Sequence, residues 1–268
     1  MQKPYIIIVS SPKGGVGKSV VSINLAVALK QMRYNVLIVD TDIINPCVGL
    51  YMGLNDTSNG VLDVISNKID IKRAIVPHPS SGVRILPGNL SRTITTTKDV
   101  KITTPQIDAF MKKLAGLDYD FVIIDTQPGI EFPSALTVLD EAILVAQPNK
   151  ASCISAIKML GRYGKAKLKC NLIINRVRNR KFELDMREIE EMAETKVSEM
   201  FPEDEKVQVG VAEGVPTFSL DGKAPFSRTI KDLAQMYASR IGTAQGEEAD
   251  DRHPLVKIFH GLIGKKRK

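Results

Sequence analysis

Near its start the chain has an apolar segment that leads directly into a glycine-rich loop. Residues 5–10 are mostly β-branched and do not alternate with polar residues, which is typical of a parallel strand buried on both faces. The loop Lys13-Gly14-Gly15-Val16-Gly17-Lys18-Ser19 follows, and residues 19–29 have helical spacing of apolar side chains. In such a strand–loop–helix unit, backbone N–H groups converge on an anion at the helix N-terminus. The segment therefore predicts a phosphate-binding loop.

Further apolar runs predict a sheet in which strands alternate with helices. The predicted strands are residues 36–39, 83–86, 121–124, 143–146 and 172–174, and the predicted helices are residues 105–115, 151–163, 185–200 and 227–240. This alternation implies right-handed βαβ units and a mainly parallel sheet with helices on both faces. We expect one α/β P-loop NTPase domain at residues 1–242, an acidic flexible linker at 243–253 and a separate amphipathic helix at 254–268.

The loop and two later strand ends supply side chains suited to a nucleotide and a metal ion. Lys18 is placed to reach the β- and γ-phosphates, and the Ser19 hydroxyl can ligate Mg²⁺. Asp125 follows a buried strand and suits the carboxylate that holds Mg²⁺ through water. Asp40 and Asp42 follow another strand, where one could support the metal shell and the other could orient the attacking water. The predicted cofactors are ATP and Mg²⁺, and the predicted metal-binding residues are Ser19, Asp40 and Asp125.

Lys13 adds a second lysine to a loop whose general pattern requires only Lys18. Four motifs, in this order, resemble the MinD/ParA family of partitioning and positioning ATPases over about residues 4–240. They are the deviant Walker A loop at residues 13–19, Val39-Asp40-Thr41-Asp42, residues 123–129 (Ile-Ile-Asp-Thr-Gln-Pro-Gly) and Asn175-Arg176. The chain departs from the family at residues 127–129, where two prolines are common after Asp-Thr, and at Ser19, where many members have threonine.

The resemblance implies an ATPase that forms an ATP-dependent homodimer. Lys13 would cross to the nucleotide of the opposite subunit and neutralise transition-state charge, as an arginine finger does. Asp42 would position the water, and Asn175 would hydrogen-bond the adenine edge. The expected catalytic residues are Lys13, Lys18 and Asp42. The expected nucleotide-binding residues are Gly14, Gly15, Val16, Gly17, Lys18, Ser19, Val20, Asn175, Arg176, Pro202, Glu203 and Asp204. A polar surface turn explains residues 202–204 equally well.

The C-terminal segment has the pattern of a short membrane-surface helix. At about 100° per residue, its apolar side chains fall on one arc. They are Leu255, Val256, Ile258, Phe259, Leu262 and Ile263. The final four residues are all basic and contribute four charges to a formal net charge of +7. Such a helix lies in the plane of an anionic membrane, although packing on the domain or on a protein partner is an alternative. MinD proteins end in such a helix and ParA proteins generally do not.

Cysteine content and hydropathy narrow the functional classes. Cys47, Cys153 and Cys170 form no CxxC pair, which argues against disulfides, a zinc site or an iron–sulfur carrier. No segment resembles a signal peptide or reaches the roughly 20 apolar residues of a transmembrane helix. We therefore expect a cytoplasmic protein that associates peripherally with the inner face of the cell membrane.

Two functional hypotheses follow. In the first, a MinD-like ATPase couples ATP-driven dimerisation to membrane binding, positions division machinery or another cell structure, and is released by hydrolysis that an unidentified activating or cargo protein accelerates. In the second, a ParA-like partitioning ATPase binds nucleoid DNA as an ATP dimer. The second would use grouped cations, for which the candidates are Lys165, Lys167, Lys169, Arg176, Arg178, Arg180 and Lys181.

Overall fold

The computed structural model describes residues 3–54, 58–89, 102–129 and 136–244. The strands are β1 (Tyr5–Ser10), β2 (Val36–Asp40), β3 (Val76–Pro77), β4 (Arg84–Leu86), β5 (Phe121–Asp125), β6 (Glu141–Ala146), β7 (Lys169–Val177) and β8 (Val197–Pro202). The helices are α1 (Lys18–Gln31), α2 (Val48–Tyr51), α3 (Val61–Ile65), α4 (Ile71–Ala74), α5 (Thr104–Ala115), α6 (Lys150–Lys165), α7 (Met186–Ala193), α8 (Glu205–Glu213), α9 (Thr217–Leu220) and α10 (Pro225–Ala244). The predicted linker and C-terminal helix, apart from residues 243 and 244, lie outside the described residues.

Within these residues the strands form one sheet in the order β3-β4-β2-β5-β1-β6-β7-β8. The pairs are parallel except β3–β4, which is antiparallel. β1 lies between β5 and β6, so that Ile7 is in register with Ile123 on one side and with Glu141 on the other. The predicted fold class, a mainly parallel α/β sheet covered on both faces, is confirmed.

Each face of the sheet has its own hydrophobic core. Ile6 and Ile8 face one core, to which α3, α5 and α6 contribute buried residues. Ile7 and Val9 face the other, which α1 and α10 cover. Because successive side chains of a strand point to opposite faces, an unbroken apolar run is what a strand buried on both sides requires. The continuous apolar run in β1 therefore serves both cores at once.

The predicted helix at residues 185–200 is wrong in its second half. α7 ends at Ala193, Glu194 takes a left-handed conformation with φ 50°, and β8 begins at Val197. Buried residues at 189, 193, 197 and 201 fit both a helical repeat of four and a strand repeat of two. Pairing of β8 with β7 decides between them, and it brings Phe201 into the core beneath α10.

No helix in the described part of the chain combines the length and the apolar character needed to cross a membrane.

Candidate nucleotide site

The glycine-rich loop lies at the carboxyl end of β1, in the centre of the sheet. Gly15 and Gly17 have φ values of 73° and 101°, in the left-handed region that favours glycine. Lys13, Gly14 and Gly15 are exposed, whereas Val16 is buried. At the start of the loop the Ser11 hydroxyl donates to the Lys13 carbonyl at 3.0 Å and accepts from the Lys13 N–H at 3.2 Å. The loop thus presents Gly14 and Gly15 to solvent, while the Ser11 side chain holds its start.

Lys18 begins α1 and is only 6% exposed. Burial lowers the pKa of its ammonium group, while the carboxylates of Asp125 and Asp42 act in the opposite direction. A largely buried cation at the N-terminus of a helix is suited to an anionic ligand, because both the cation and the helix dipole attract negative charge. The site predicted for the nucleotide phosphates is therefore assembled by one continuous βα unit.

A buried carboxylate and two hydroxyls meet next to Lys18. The Ser19 Oγ lies 2.6 Å from Asp125 Oδ2, and the Ser22 Oγ lies 3.0 Å from Asp125 Oδ1. Burial raises the pKa of Asp125 to about 6, against the stabilising effects of Ser19, Lys18 and Ser22. One hydroxyl and one carboxylate at this separation are oxygen donors of the kind that Mg²⁺ requires. The donor set therefore fits the metal ion predicted from the sequence.

Asp40 lies beside Asp125, but both of its carboxylate oxygens accept hydrogen bonds from backbone N–H groups. The two residues are in register on β2 and β5, and Asp40 is fully buried. Its Oδ1 accepts from the Asp42 N–H at 3.1 Å, and its Oδ2 accepts from the Val48 N–H at 3.0 Å. Burial and the neighbouring Asp125 raise the pKa of Asp40 well above its ordinary value. Asp40 thus fixes the loop that carries Asp42 and binds the first N–H group of α2.

Asp42 stands in a turn rather than in an extended continuation of β2. Its Oδ1 accepts from the Asn45 N–H at 2.8 Å and from the Ile44 N–H at 3.2 Å. The carboxylate is partly exposed and close enough to Lys18 to affect the pKa of that residue. The structure therefore brings Asp42 to the phosphate loop with one of its oxygens already engaged.

The segment after β5 runs along the start of the phosphate loop. The Thr126 hydroxyl donates to the Val9 carbonyl at 2.9 Å, and the Gly129 N–H donates to the Ser11 carbonyl at 3.0 Å. Gly129 has a φ of 73°, in the left-handed region that favours glycine. The departure from the family pattern at residues 127–129 thus retains close contact with the loop.

Except for Val20 on α1, the remaining predicted residues lie beyond β6, on the other side of β1. Asn175 is 4% exposed and its Nδ2 donates to the Val16 carbonyl at 2.7 Å, while Arg176 is exposed.

The predicted segment at residues 202–204 makes its contacts within the protein. Glu203 forms an ion pair with Arg178. Asp204 accepts from the Lys206 N–H at 2.9 Å and from the Phe226 N–H at 3.1 Å, so its carboxylate caps α8 and holds the first turn of α10. Pro202 ends β8, and Val20 is partly buried on α1.

Ser22 is a site residue that the sequence analysis does not identify. It lies three positions after Ser19, on the same face of α1, and its hydroxyl also donates to the Lys18 carbonyl at 3.0 Å. The spacing of two serines in the first turns of a helix is the signal that could have indicated it.

Comparisons with known proteins find a family model and relatives that match most of the chain. The ParA family model, described as a NUBPL iron-transfer P-loop NTPase, matches residues 3–236. An uncharacterized ATP-binding protein of Methanocaldococcus jannaschii is 31% identical over 265 residues, which cover 97% of each chain. The septum site-determining protein MinD of Thermotoga maritima is 28% identical over 269 residues, covering 96% of this chain and 94% of the relative.

A solved structure is similar over nearly the whole described fold. The MinD of Pyrococcus horikoshii, complexed with Mg-ADP, has a TM-score of 0.80 at 27% identity and covers 91% of this chain and 98% of that chain. The prediction of ATP and Mg²⁺ as cofactors is confirmed at the level of these relatives, one an ATP-binding protein and one solved with Mg-ADP. The chain belongs to the ParA family of P-loop NTPases, in which MinD proteins are among its relatives.

Proposed function

We propose that this protein is a MinD-like ATPase switch, in which ATP drives dimerisation and membrane binding and hydrolysis reverses both. The observation that carries the proposal is the cluster of Lys18, Ser19 and Asp125 beneath an exposed loop that begins with Lys13. The cluster supports the proposed binding of phosphate and metal, and the exposed Lys13 supports the proposed action on a second subunit.

Each residue has a separable role in this proposal. The loop amides and Lys18 hold the phosphates, and Ser19 and Asp125 hold Mg²⁺. When bound, Mg²⁺ neutralises charge on the phosphate oxygens. Asp42 orients the attacking water, and Asp40 acts through the backbone by holding the loop on which Asp42 stands. Lys13 is exposed at the edge of the site, as a residue that acts on the nucleotide of the opposite subunit must be.

Membrane attachment is assigned to residues 254–268, with residues 243–253 as a linker from the domain at 1–242. α10 ends at Ala244, so the sequence from there on follows the last described element of the domain. One short amphipathic helix binds a membrane only weakly, but two helices in one dimer bind with strongly increased avidity. ATP would thereby control attachment through dimerisation, for the positioning of division machinery or another cell structure.

Sedimentation of the full chain with phosphatidylglycerol-containing vesicles tests this function. We expect pelleting with Mg-ATP, and much less with Mg-ADP. Lys13→Ala should lose ATP-dependent dimerisation and pelleting, Lys18→Ala should lose nucleotide binding, and removal of residues 254–268 should abolish pelleting without affecting ATP binding. Lys72→Ala, an exposed lysine on α4, is the matched control.

The outcomes separate the parts of the proposal. Equal pelleting with ATP and ADP would contradict the coupling to nucleotide, and pelleting with neither would contradict the membrane role. Undiminished nucleotide binding by Lys18→Ala would contradict the site itself.

One observation favours the ParA-like alternative. Arg176 at the end of β7 and Arg180 and Lys181 just after it are all exposed, at the same edge of the sheet as the phosphate loop. The other predicted cations, Lys165, Lys167 and Lys169, lie at or before the opposite end of β7, roughly 25 Å away at about 3.3 Å per residue. The seven cations therefore do not form one patch. Salt-dependent DNA binding with ATP but not with ADP would favour this alternative.

A further inference from the structure

β7 is irregular where its chain passes the phosphate loop. Its register with β8 shifts between Ile174 and Val177, and Arg176 has a left-handed φ of 62°. Such irregularities commonly re-aim a side chain away from the direction that regular pleating would give it. The residue at the irregularity, Asn175, is buried and directs its carboxamide toward the phosphate loop instead of solvent.

The contact that results crosses an entire strand. In the sheet order β1 and β7 are separated by β6, so their backbones are roughly 10 Å apart at ordinary strand spacing. The Asn175 Nδ2 nevertheless donates to the Val16 carbonyl at 2.7 Å, over the carboxyl end of β6. Val16 stands between the two left-handed glycines of the loop, in the stretch where the backbone turns most tightly.

Gly17 and Asn175 also fit each other sterically. A Cβ on Gly17 would overlap the Asn175 carboxamide, and Gly17 has a φ of 101° that side chains rarely adopt. Asn175 therefore fills the space that the missing side chain leaves, while its hydrogen bond holds the preceding carbonyl. The hydrogen bond holds the peptide unit between Val16 and Gly17, and therefore the direction of the Gly17 N–H group.

We propose that Asn175 is a positioning residue that braces the phosphate loop, so that it controls phosphate binding whatever base the nucleotide carries. The proposal rests on the proposed function, since it concerns the same ATP site. It differs from recognition of adenine, the role that the family resemblance implies for this residue. The two roles are compatible, because an amide nitrogen has two hydrogens and the Val16 carbonyl takes one.

The test uses a ligand that has no base. Binding of inorganic tripolyphosphate and of ATP, each with Mg²⁺, is compared for the full-length wild-type protein, Asn175→Ala and Asn175→Leu. The leucine variant keeps approximately the shape of the side chain and lacks its donor. Asn35→Ala is the matched control, since Asn35 is exposed just before β2, at the opposite end of the sheet.

We expect both Asn175 variants to lose about tenfold in affinity for tripolyphosphate, since each leaves the buried Val16 carbonyl without its donor. The loss for ATP should be at least as large, and Asn35→Ala should bind both ligands as the wild type does. In the nucleotide-free protein, amide hydrogen exchange should become faster in the peptide that covers residues 11–19, while the strands of the sheet keep their protection.

Several results would overturn the brace. Loss of ATP binding with unchanged tripolyphosphate binding would make Asn175 a base-recognising residue only. Unchanged binding of both ligands would show that Asn175 has no role in the phosphate loop. Faster hydrogen exchange throughout the sheet would show that its role is a general structural one. If the wild type binds neither ligand, the proposed function fails, and the exchange measurement still decides whether Asn175 braces the loop.

Discussion

At the scale of single residues, the site is organised around two carboxylates buried side by side. Asp40 and Asp125 are neighbours in register, and each is almost completely removed from solvent. Asp40 receives two backbone N–H groups, whereas Asp125 receives two hydroxyls and lies close to Lys18. Hydroxyls can turn toward a metal ion and backbone amides of a fixed loop cannot. This difference favours Asp125 over Asp40 as the proposed metal ligand and leaves Asp40 to hold the loop.

Asp125 is expected to make the stability of the nucleotide-free protein depend on pH. Burial raises its pKa from 3.8 to about 6, so the folded state holds this proton more tightly than the unfolded chain does. The contribution of Asp125 to the free energy of unfolding is therefore fully present below about pH 4 and is lost as the pH rises through about 6. Relative to Asp125→Asn, the wild type should lose on the order of 2 kcal/mol between about pH 4 and about pH 7.

Urea unfolding in the presence of EDTA, without nucleotide, measures this difference. Asp118→Asn, an exposed aspartate, should show the same pH dependence as the wild type. A constant difference between wild type and Asp125→Asn across this range would contradict the elevated pKa of Asp125.

The sequence predicts those site residues whose chemistry belongs to a local motif. Lys18 and Ser19 are specified by the loop itself, and Asp125 by its place after a buried strand. The contacts of Ser22 and the hydrogen bond from Asn175 to Val16 could not be predicted, because they depend on how distant segments meet. For Asp40, local sequence indicates a carboxylate at the correct edge, but only the folded loop shows that backbone amides use both of its oxygens.

At the scale of elements, two glycines form a close contact between α2 and α8, which are distant in the sequence. Gly53 follows α2 and Gly214 ends α8, and their φ values are 70° and 66°. A Cβ on Gly214 would lie 2.8 Å from the Gly53 Cα, and a Cβ on Gly53 would lie 3.0 Å from the Gly214 carbonyl oxygen. Their backbones therefore pack directly together, and α2 rests on the end of α8.

Gly214→Ala is expected to destabilise the protein by about 1–3 kcal/mol, because it combines a left-handed φ with a backbone collision. Gly161→Ala in α6 is the matched control, since no heavy atom lies within 4 Å of its added Cβ. That change should be neutral or should stabilise by about 0.5–1 kcal/mol, because alanine loses less conformational entropy in a helix. Equal free energies of unfolding for the two variants would contradict the close packing.

The elements also show where sequence patterns stop being informative. The continuous apolar strands of the sheet centre could be predicted, since burial on both faces leaves a distinctive run of residues. The edge strand β8 could not be, because its buried positions also fit a helix and only pairing with β7 selects the strand. The two-residue strand β3 leaves too short a pattern to recognise.

At the scale of the whole molecule, a buried polar network lies at the end of the sheet opposite the site. Glu141 begins β6 and is completely buried. It accepts from the Tyr5 hydroxyl at 2.8 Å and from the Asn171 Nδ2 at 2.7 Å, and it forms an ion pair with Arg240 of α10. The network thus joins three strands to the last described helix. Burial also raises the pKa of Tyr5 to about 12, so its hydroxyl remains a donor.

Removal of one member of this ion pair is expected to be costly. Arg240→Met leaves the buried Glu141 carboxylate with only Lys169, whose Nζ lies 4.0 Å away, as a paired cation and should destabilise by up to about 3–5 kcal/mol. The double variant Glu141→Gln with Arg240→Met removes both charges and should be more stable than the sum of the two single changes predicts. Urea unfolding of the four proteins measures this coupling, and additive effects would contradict it. ATP affinity should be unchanged in the variants that fold, because the network is remote from the site.

The central position of β1 has an evolutionary consequence. The phosphate loop is flanked by Asp125 of β5 and Asp40 of β2 on one side and by Asn175 of β7 on the other. Mutations that adjust the metal side can therefore accumulate without altering the flank beyond β6, and the reverse also holds. A lineage built on this sheet can change the two flanks of the proposed site in separate steps, each of them open to selection.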